Sequence, residues 1–177
     1  MTIEIPDPSL VLLIGSSGAG KSTFAACHFQ PTEIISSDRC RAMICDHESD
    51  QTINSETFGL VHYIARLRLR QQRLTVIDAT NLQFHARRPL IRMARAHRTP
   101  IVAIVFQVPL ETCLEQNQSR PERQVGQEVL ALHQQQLNST LSRLDREGYY
   151  QIYVVEKSDL DGLAVRKLRR ATEGGSD

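Results

Sequence analysis

The residues best suited to chemistry stand at four places. Gly15-Ser-Ser-Gly-Ala-Gly-Lys-Ser22 matches G-x-x-x-x-G-K-[ST] in full. In this pattern glycines let successive backbone N–H groups turn inward on phosphate oxygens, and a helix opening near Lys21 adds its positive dipole end. Lys21 then reaches the β- and γ-phosphates and the Ser22 hydroxyl ligates Mg²⁺. Ser16, Ser17, Ala19 and Thr23 complete the nucleotide-contacting run with Gly15, Gly18 and Gly20. Only three of the 21 basic residues are lysines, so a lysine at this position is informative. A slim point charge fits where a planar guanidinium would not. These residues predict a nucleoside-triphosphate site.

Asp78 closes the apolar run Leu74-Thr-Val-Ile and precedes Ala79-Thr-Asn81. An acid at a strand end is placed to hold the metal of such a site, although Asp in a turn also caps helices. Ser36-Ser-Asp38-Arg-Cys-Arg41 follows a second apolar run. Asp38 can accept the proton of an attacking hydroxyl, or serve as the N-cap of the next helix, as Ser37 also can. Arg41, one turn on, would orient that carboxylate or bind an acceptor phosphate. Arg120-Pro-Glu-Arg123 offers two arginines in a connection suited to a lid closing on phosphates, or simply a solvated surface turn.

The elements that must position these residues alternate. Buried strands are predicted at Leu10–Ile14, Glu33–Ser36, Leu74–Asp78, Ile101–Phe106 and Ile152–Val155, each continuously apolar as a sheet covered on both faces requires. Helices are predicted over Lys21–Phe29, Asn54–Gln72, Phe84–His97, Leu110–Asn117 and Glu122–Arg146. The last follows a period through Val125, Val129, Leu132, Gln136 and Leu137 and is capped near Gly148. This is the pattern of an α/β protein: a parallel sheet between helices, with a helical lid. At 177 residues one domain is expected over 1–170, with 171–177 a linker or frayed tail.

Composition narrows the class. The net charge of +1 excludes a uniformly basic nucleic-acid binder, yet nine arginines and one acid lie between Arg66 and Arg98. That run is either a polarised surface or the solvated stripes of two amphipathic helices. No apolar run approaches the ~20 residues of a membrane span. Four cysteines without a CxxC pair are read as reduced, small apolar fillers of a cytoplasmic protein, and the six histidines show no metal spacing.

Taken in order, LVLLIGSSGAGKSTFA, HFQPTEIISSDRCR, LTVIDATNLQFHARRPLI and RPERQV closely resemble the N-terminal kinase domain of the bacterial polynucleotide kinase-phosphatase family, through nearly the whole chain. The resemblance implies γ-phosphate transfer from ATP or another nucleoside triphosphate to the 5′-hydroxyl of RNA or DNA in end healing and repair, with Mg²⁺ or Mn²⁺. It implies Asp38 as general base with Arg41 beside it, Lys21 and Ser22 on phosphates and metal, and Arg120 and Arg123 on the donor phosphates. Gln51 is a candidate acceptor contact. Lids of the family can carry a further arginine where this chain has Gln116, which receives no role. Family proteins continue into metallophosphatase and ligase-like modules that nothing here resembles, so the chain is expected to be an excised domain. Two rivals stay open: a small-molecule kinase on the same scaffold, and a nucleotide-gated binding module.

Overall fold

The computed structural model describes residues 1–119 and 125–169. Its elements run β1 (Thr2–Asp7), β2 (Leu10–Ile14), α1 (Lys21–His28), β3 (Ile34–Ser36), α2 (Ser37–Cys45), a 3₁₀ turn (Gln51–Ile53), α3 (Asn54–Arg70), β4 (Thr75–Asp78) and α4 (Phe84–Ala96). There follow β5 (Ile101–Gln107), α5 (Leu110–Gln118), α6 (Gln127–Leu141), a 3₁₀ turn (Leu144–Arg146), β6 (Gln151–Glu156), a 3₁₀ segment (Lys157–Gly162) and β7 (Ala164–Arg169).

Five parallel strands form the main sheet in the order β3-β4-β2-β5-β6. Every side chain of β2 is buried, because the pleat sends Leu10, Leu12 and Ile14 to one layer and Val11 and Leu13 to the other. The first layer is closed by α3, α4 and α6 through Val61, Ala65, Leu90, Ala94 and Leu137. The second is closed by α1 and α5 through Phe24, Ala25, Phe29 and Cys113. The valine, leucine and phenylalanine side chains among them contribute roughly 1.5–3 kcal/mol each on burial. The parallel α/β sandwich is therefore as the apolar runs predict, with strand ends shifted by at most one residue.

Two strands went unpredicted. β1 pairs in parallel with β7, from Thr2↔Ala164 to Asp7↔Arg169, as a separate two-stranded sheet. Ile3 and Ile5 are fully buried against the α1 layer. The Tyr153 hydroxyl ties β1 to β6, accepting from Glu4 N at 3.1 Å and donating to Glu4 O at 2.8 Å. Glu33 does not belong to β3; its carboxylate receives Lys167 Nζ of β7 at 2.6 and 2.9 Å.

The long predicted helix over Glu122–Arg146 is also corrected. Helix α6 runs only from Gln127 to Leu141, and Glu122 lies outside the described residues. Its core face is Leu130, Leu137 and Thr140, while Val129 and Leu132 are exposed toward the cleft described below. The chain leaves the helix early so that Glu147 reaches Arg87 in the interior, with Arg95 donating to Glu147 O at 2.7 Å. Gly148 does not cap α6, whose C-cap is Ser142, but follows the 3₁₀ turn. It turns the chain at φ +78°, where a Cβ would lie 2.3 Å from the Arg95 guanidinium. Of the cysteines, Cys40 and Cys113 are buried fillers, but Cys27 is exposed and Cys45 half-buried. The tail 171–177 lies outside the described residues.

Candidate active site

The loop after β2 is shaped by two glycines. Gly18 has φ +77°, and a Cβ there would stand 2.5 Å from Cys113 O of α5. Gly20, at φ +87°, is the N-cap of α1. No side chain caps that helix and no acid sits in its first turn, so its positive end is left to an external anion. Lys21 is 7% exposed, and its Nζ bridges the loop by donating to Gly15 O (3.0 Å) and Ser16 O (2.7 Å). Gly15, Ser16 and Ala19 build the loop's floor, whereas Thr23 is exposed on α1, outside the cleft.

Asp38 is released from capping. The N-cap of α2 is Ser36, whose hydroxyl accepts from Arg39 N at 3.4 Å. The Asp38 carboxylate is instead held by Arg41 at 2.9 Å. Arg41 is 3% exposed and also donates to Glu48 O (2.9 Å) and Asn54 Oδ1 (2.8 Å). Asn54 in turn donates to Gln51 Oε1 at 3.1 Å. One buried guanidinium thus joins α2 to the turn before α3, and its geometry is that of orienting Asp38.

Asp78 ends β4 at 5% exposure, level with Leu13 of β2 and Ser36 of β3. It does not cap α4, whose N-cap is Gln83. A cavity of about 640 Å³ brings Lys21, Ser22, Asp38, Arg41, Gln51 and Asp78 together with the loop residues Ser17, Gly18 and Gly20. Ser22 and Asp78 supply hard oxygen donors suited to Mg²⁺ or Mn²⁺. Among the described residues no group of three or more His, Cys, Asp or Glu is assembled for a metal, so phosphate and water would complete the coordination. Arg120 and Arg123 lie outside the described residues.

Four cleft residues were missed in the sequence. Asn54 and Glu48 enter through Arg41. Asn117 ties the end of α5 to Val125, donating to its O at 2.8 Å and accepting from its N at 2.9 Å. His133 of α6 approaches the phosphate loop, its Nδ1 accepting from Ser17 N at 3.5 Å. A histidine 116 residues from its partner leaves no local signal.

Burial, with Lys21 adding to it, lowers the pKa of His133; burial alone lowers those of His62 and His28. The unfolded chain therefore takes up protons that the folded one refuses. Stability is complete above the unfolded histidine pKa of about 6.5 and falls as pH drops below it toward the lower folded values. Urea midpoints should decline between pH 7.5 and 5.5, and His62→Gln should flatten the decline; an unchanged slope would rule His62 out as a source.

A family profile described as an AAA domain matches residues 10–146. No curated protein matches the chain. Among solved structures, a chain of the Pnkp1/Rnl/Hen1 RNA repair complex is similar at 24% identity and TM-score 0.66, over 78% of this chain and 47% of that one. Kti12 of Chaetomium thermophilum, in complex with ADP-AlF3, aligns at 14% identity and TM-score 0.60, over 85% and 90% of the two chains. A gluconokinase from Sinorhizobium meliloti aligns at 16% identity and TM-score 0.53, over 86% and 84%. The shared feature is the P-loop kinase fold; the chain spans about half the length of the RNA-repair chain it matches.

Proposed function

The chain belongs to the AAA-domain family, and from that premise we propose that it is a polynucleotide 5′-hydroxyl kinase acting in nucleic-acid end healing and repair. The observation that carries the reading is the pairing of two groups in one cleft. A buried lysine stands in a phosphate loop, and an aspartate, freed from capping, is held by Arg41. The cleft mouth adjoins Gln83 and His85 at the start of an arginine-rich helix, which suits a polyanionic acceptor better than a small alcohol.

The donor is ATP or another nucleoside triphosphate. Its phosphates take the loop N–H groups and the α1 terminus, and Lys21 exchanges its two carbonyl partners for β- and γ-oxygens. Ser22 and Asp78 would hold Mg²⁺ or Mn²⁺, which neutralises phosphate charge when bound. Asp38 accepts the proton of the 5′-hydroxyl as that oxygen bonds to the γ-phosphorus and the bond to the nucleoside diphosphate breaks. Arg41 keeps the carboxylate aimed, and Gln51, linked through Asn54, contacts the acceptor end. Arg120 and Arg123 close on the donor phosphates, as the family resemblance implies. The reading includes a cytoplasmic setting, taken from the reduced cysteines, and a longer protein bearing phosphatase and ligase-like domains, which the resemblance implies.

The test is transfer of label from γ-labelled ATP to a 5′-hydroxyl oligonucleotide with Mg²⁺. Labelled 5′ ends are expected. ATP hydrolysis without labelled oligonucleotide, or saturation by a small alcohol such as gluconate, would sink the assignment.

A further inference from the structure

Helix α4 has two unlike faces. Arg87, Leu90, Ile91 and Ala94 are buried, while Phe84, Arg88 and Arg92 project into solvent one turn apart. Phe84 is 51% exposed, an unusual setting for an aromatic ring, and its neighbours Gln83 and His85 line the candidate active site. From Ala79 to Leu110 the chain carries no acid. Among the described residues neither Arg88 nor Arg92 has a carboxylate within ion-pair distance. The helix is about 20 Å long, so the row leads from the cleft mouth outward in steps of about 6 Å.

We propose that this face is the track for the acceptor strand downstream of its 5′ end. Single-stranded polynucleotide lies along α4 with a base on the Phe84 ring and backbone phosphates on Arg88 and Arg92. The inference rests on the polynucleotide reading of the cleft and extends it to a surface outside the reacting groups. Three features select this occupant. A row of guanidinium groups with no carboxylate partner among the described residues seeks repeated negative charge, which a phosphate backbone supplies. An exposed ring at the head of the row suits an unpaired base, which a duplex does not offer. Continuity with the cleft starts the row where a 5′ terminus would enter.

Fluorescence anisotropy of a 3′-labelled, 5′-hydroxyl 12-mer over a salt series tests the track. Arg88→Ala with Arg92→Ala should weaken binding about 20-fold at 0.1 M salt and make the log–log salt slope shallower by about 1.4, the value for two phosphate contacts on a single strand. Phe84→Ala should cost about tenfold and leave that slope unchanged. The same charge removed from α3, by Arg66→Ala with Arg70→Ala, should cost less than the α4 pair. In the transfer assay the KM penalty of the α4 pair should grow with acceptor length, from a nucleoside 3′-phosphate to the 12-mer. An unchanged slope in the α4 pair, a penalty independent of length, or displacement by polyglutamate as effective as by oligonucleotide would overturn the proposal. Binding and transfer are read separately. Wild-type protein that holds the strand on α4 but labels no 5′ end would refute the kinase reading alone. One that labels 5′ ends while the α4 pair binds normally would refute the track alone.

Discussion

Asp38→Asn should lower transfer to a 5′-hydroxyl by about 100-fold or more, the scale of losing a general base, while leaving nucleotide affinity unchanged. The substitution is nearly isosteric and retains an oxygen that can accept from Arg41 NH1, now 2.9 Å away. The buried guanidinium therefore keeps its other partners, Glu48 O and Asn54, and the turn before α3 stays in place. What disappears is the capacity to take a proton. Ser36, not Asp38, caps α2, so the helix loses no cap, and the expected drop in the urea midpoint is that of leaving the buried Arg41 guanidinium without its counter-charge. Single-turnover transfer under saturating ATP, set beside ATP binding by anisotropy, separates the two effects. A fall of less than about tenfold would assign Asp38 to positioning, because proton transfer by a placed group contributes at least 10²-fold.

The contrast between Asp38 and its surroundings shows what the sequence carries. The phosphate loop, Asp38 and Asp78 were legible because each stands at the end of a short apolar run or within three residues of it, and a parallel sheet presents the carboxyl ends of its strands along one edge. The capping alternative for Asp38 was not decidable, since Ser36, Ser37 and Asp38 are all competent caps and only the backbone chooses. Arg87 and Arg88 are neighbours of one residue type, yet one is 1% exposed and the other lies in solvent. The count of nine arginines from Arg66 to Arg98 took in both alike. The β1–β7 sheet was illegible for another reason. Its pairing joins the two ends of the described chain, and its sequences, TIEIPD and AVRKLR, lack the continuous apolar run that marks the strands of the main sheet. His133 and Asn54 enter the cleft through partners supplied by the fold, with no motif of their own.

Arg87 carries the largest stability effect. Its Nε donates to Glu147 Oε2 at 2.9 Å, and NH2 donates to Glu147 Oε1. NH1 donates to Asn81 O (2.7 Å) and Leu82 O (2.8 Å). Tyr149 adds a bond to the same carboxylate at 3.1 Å, and burial, then the Glu147 charge, pushes its phenol up so that it remains a donor. The cluster also fixes the loop that follows Asp78. Asn81 Nδ2 donates to Leu13 O at 2.8 Å, and Gly15 N donates to Thr80 O at 3.0 Å, so this loop and the phosphate loop lean on each other. Arg87→Met would leave the buried Glu147 carboxylate without its counter-charge and the Asn81 carbonyl without the Arg87 donor, while Leu82 O keeps the Thr140 hydroxyl. The expected cost is about 3–5 kcal/mol, as for a buried ion pair that loses one partner. Glu147→Leu alone leaves an unpaired guanidinium and should cost a similar amount. Together they should cost much less than the sum, because no buried charge is left, although the Asn81 carbonyl still lacks the Arg87 donor. Urea unfolding of the four proteins measures the coupling. Single variants within about 1 kcal/mol of wild type would mean that the cluster is solvated and contributes like a surface pair. Near-additive losses would place the cost in the Asn81 carbonyl, and nucleotide affinity should then fall in Arg87→Met but not in Glu147→Leu, since of the two only Arg87 donates to the loop that follows Asp78.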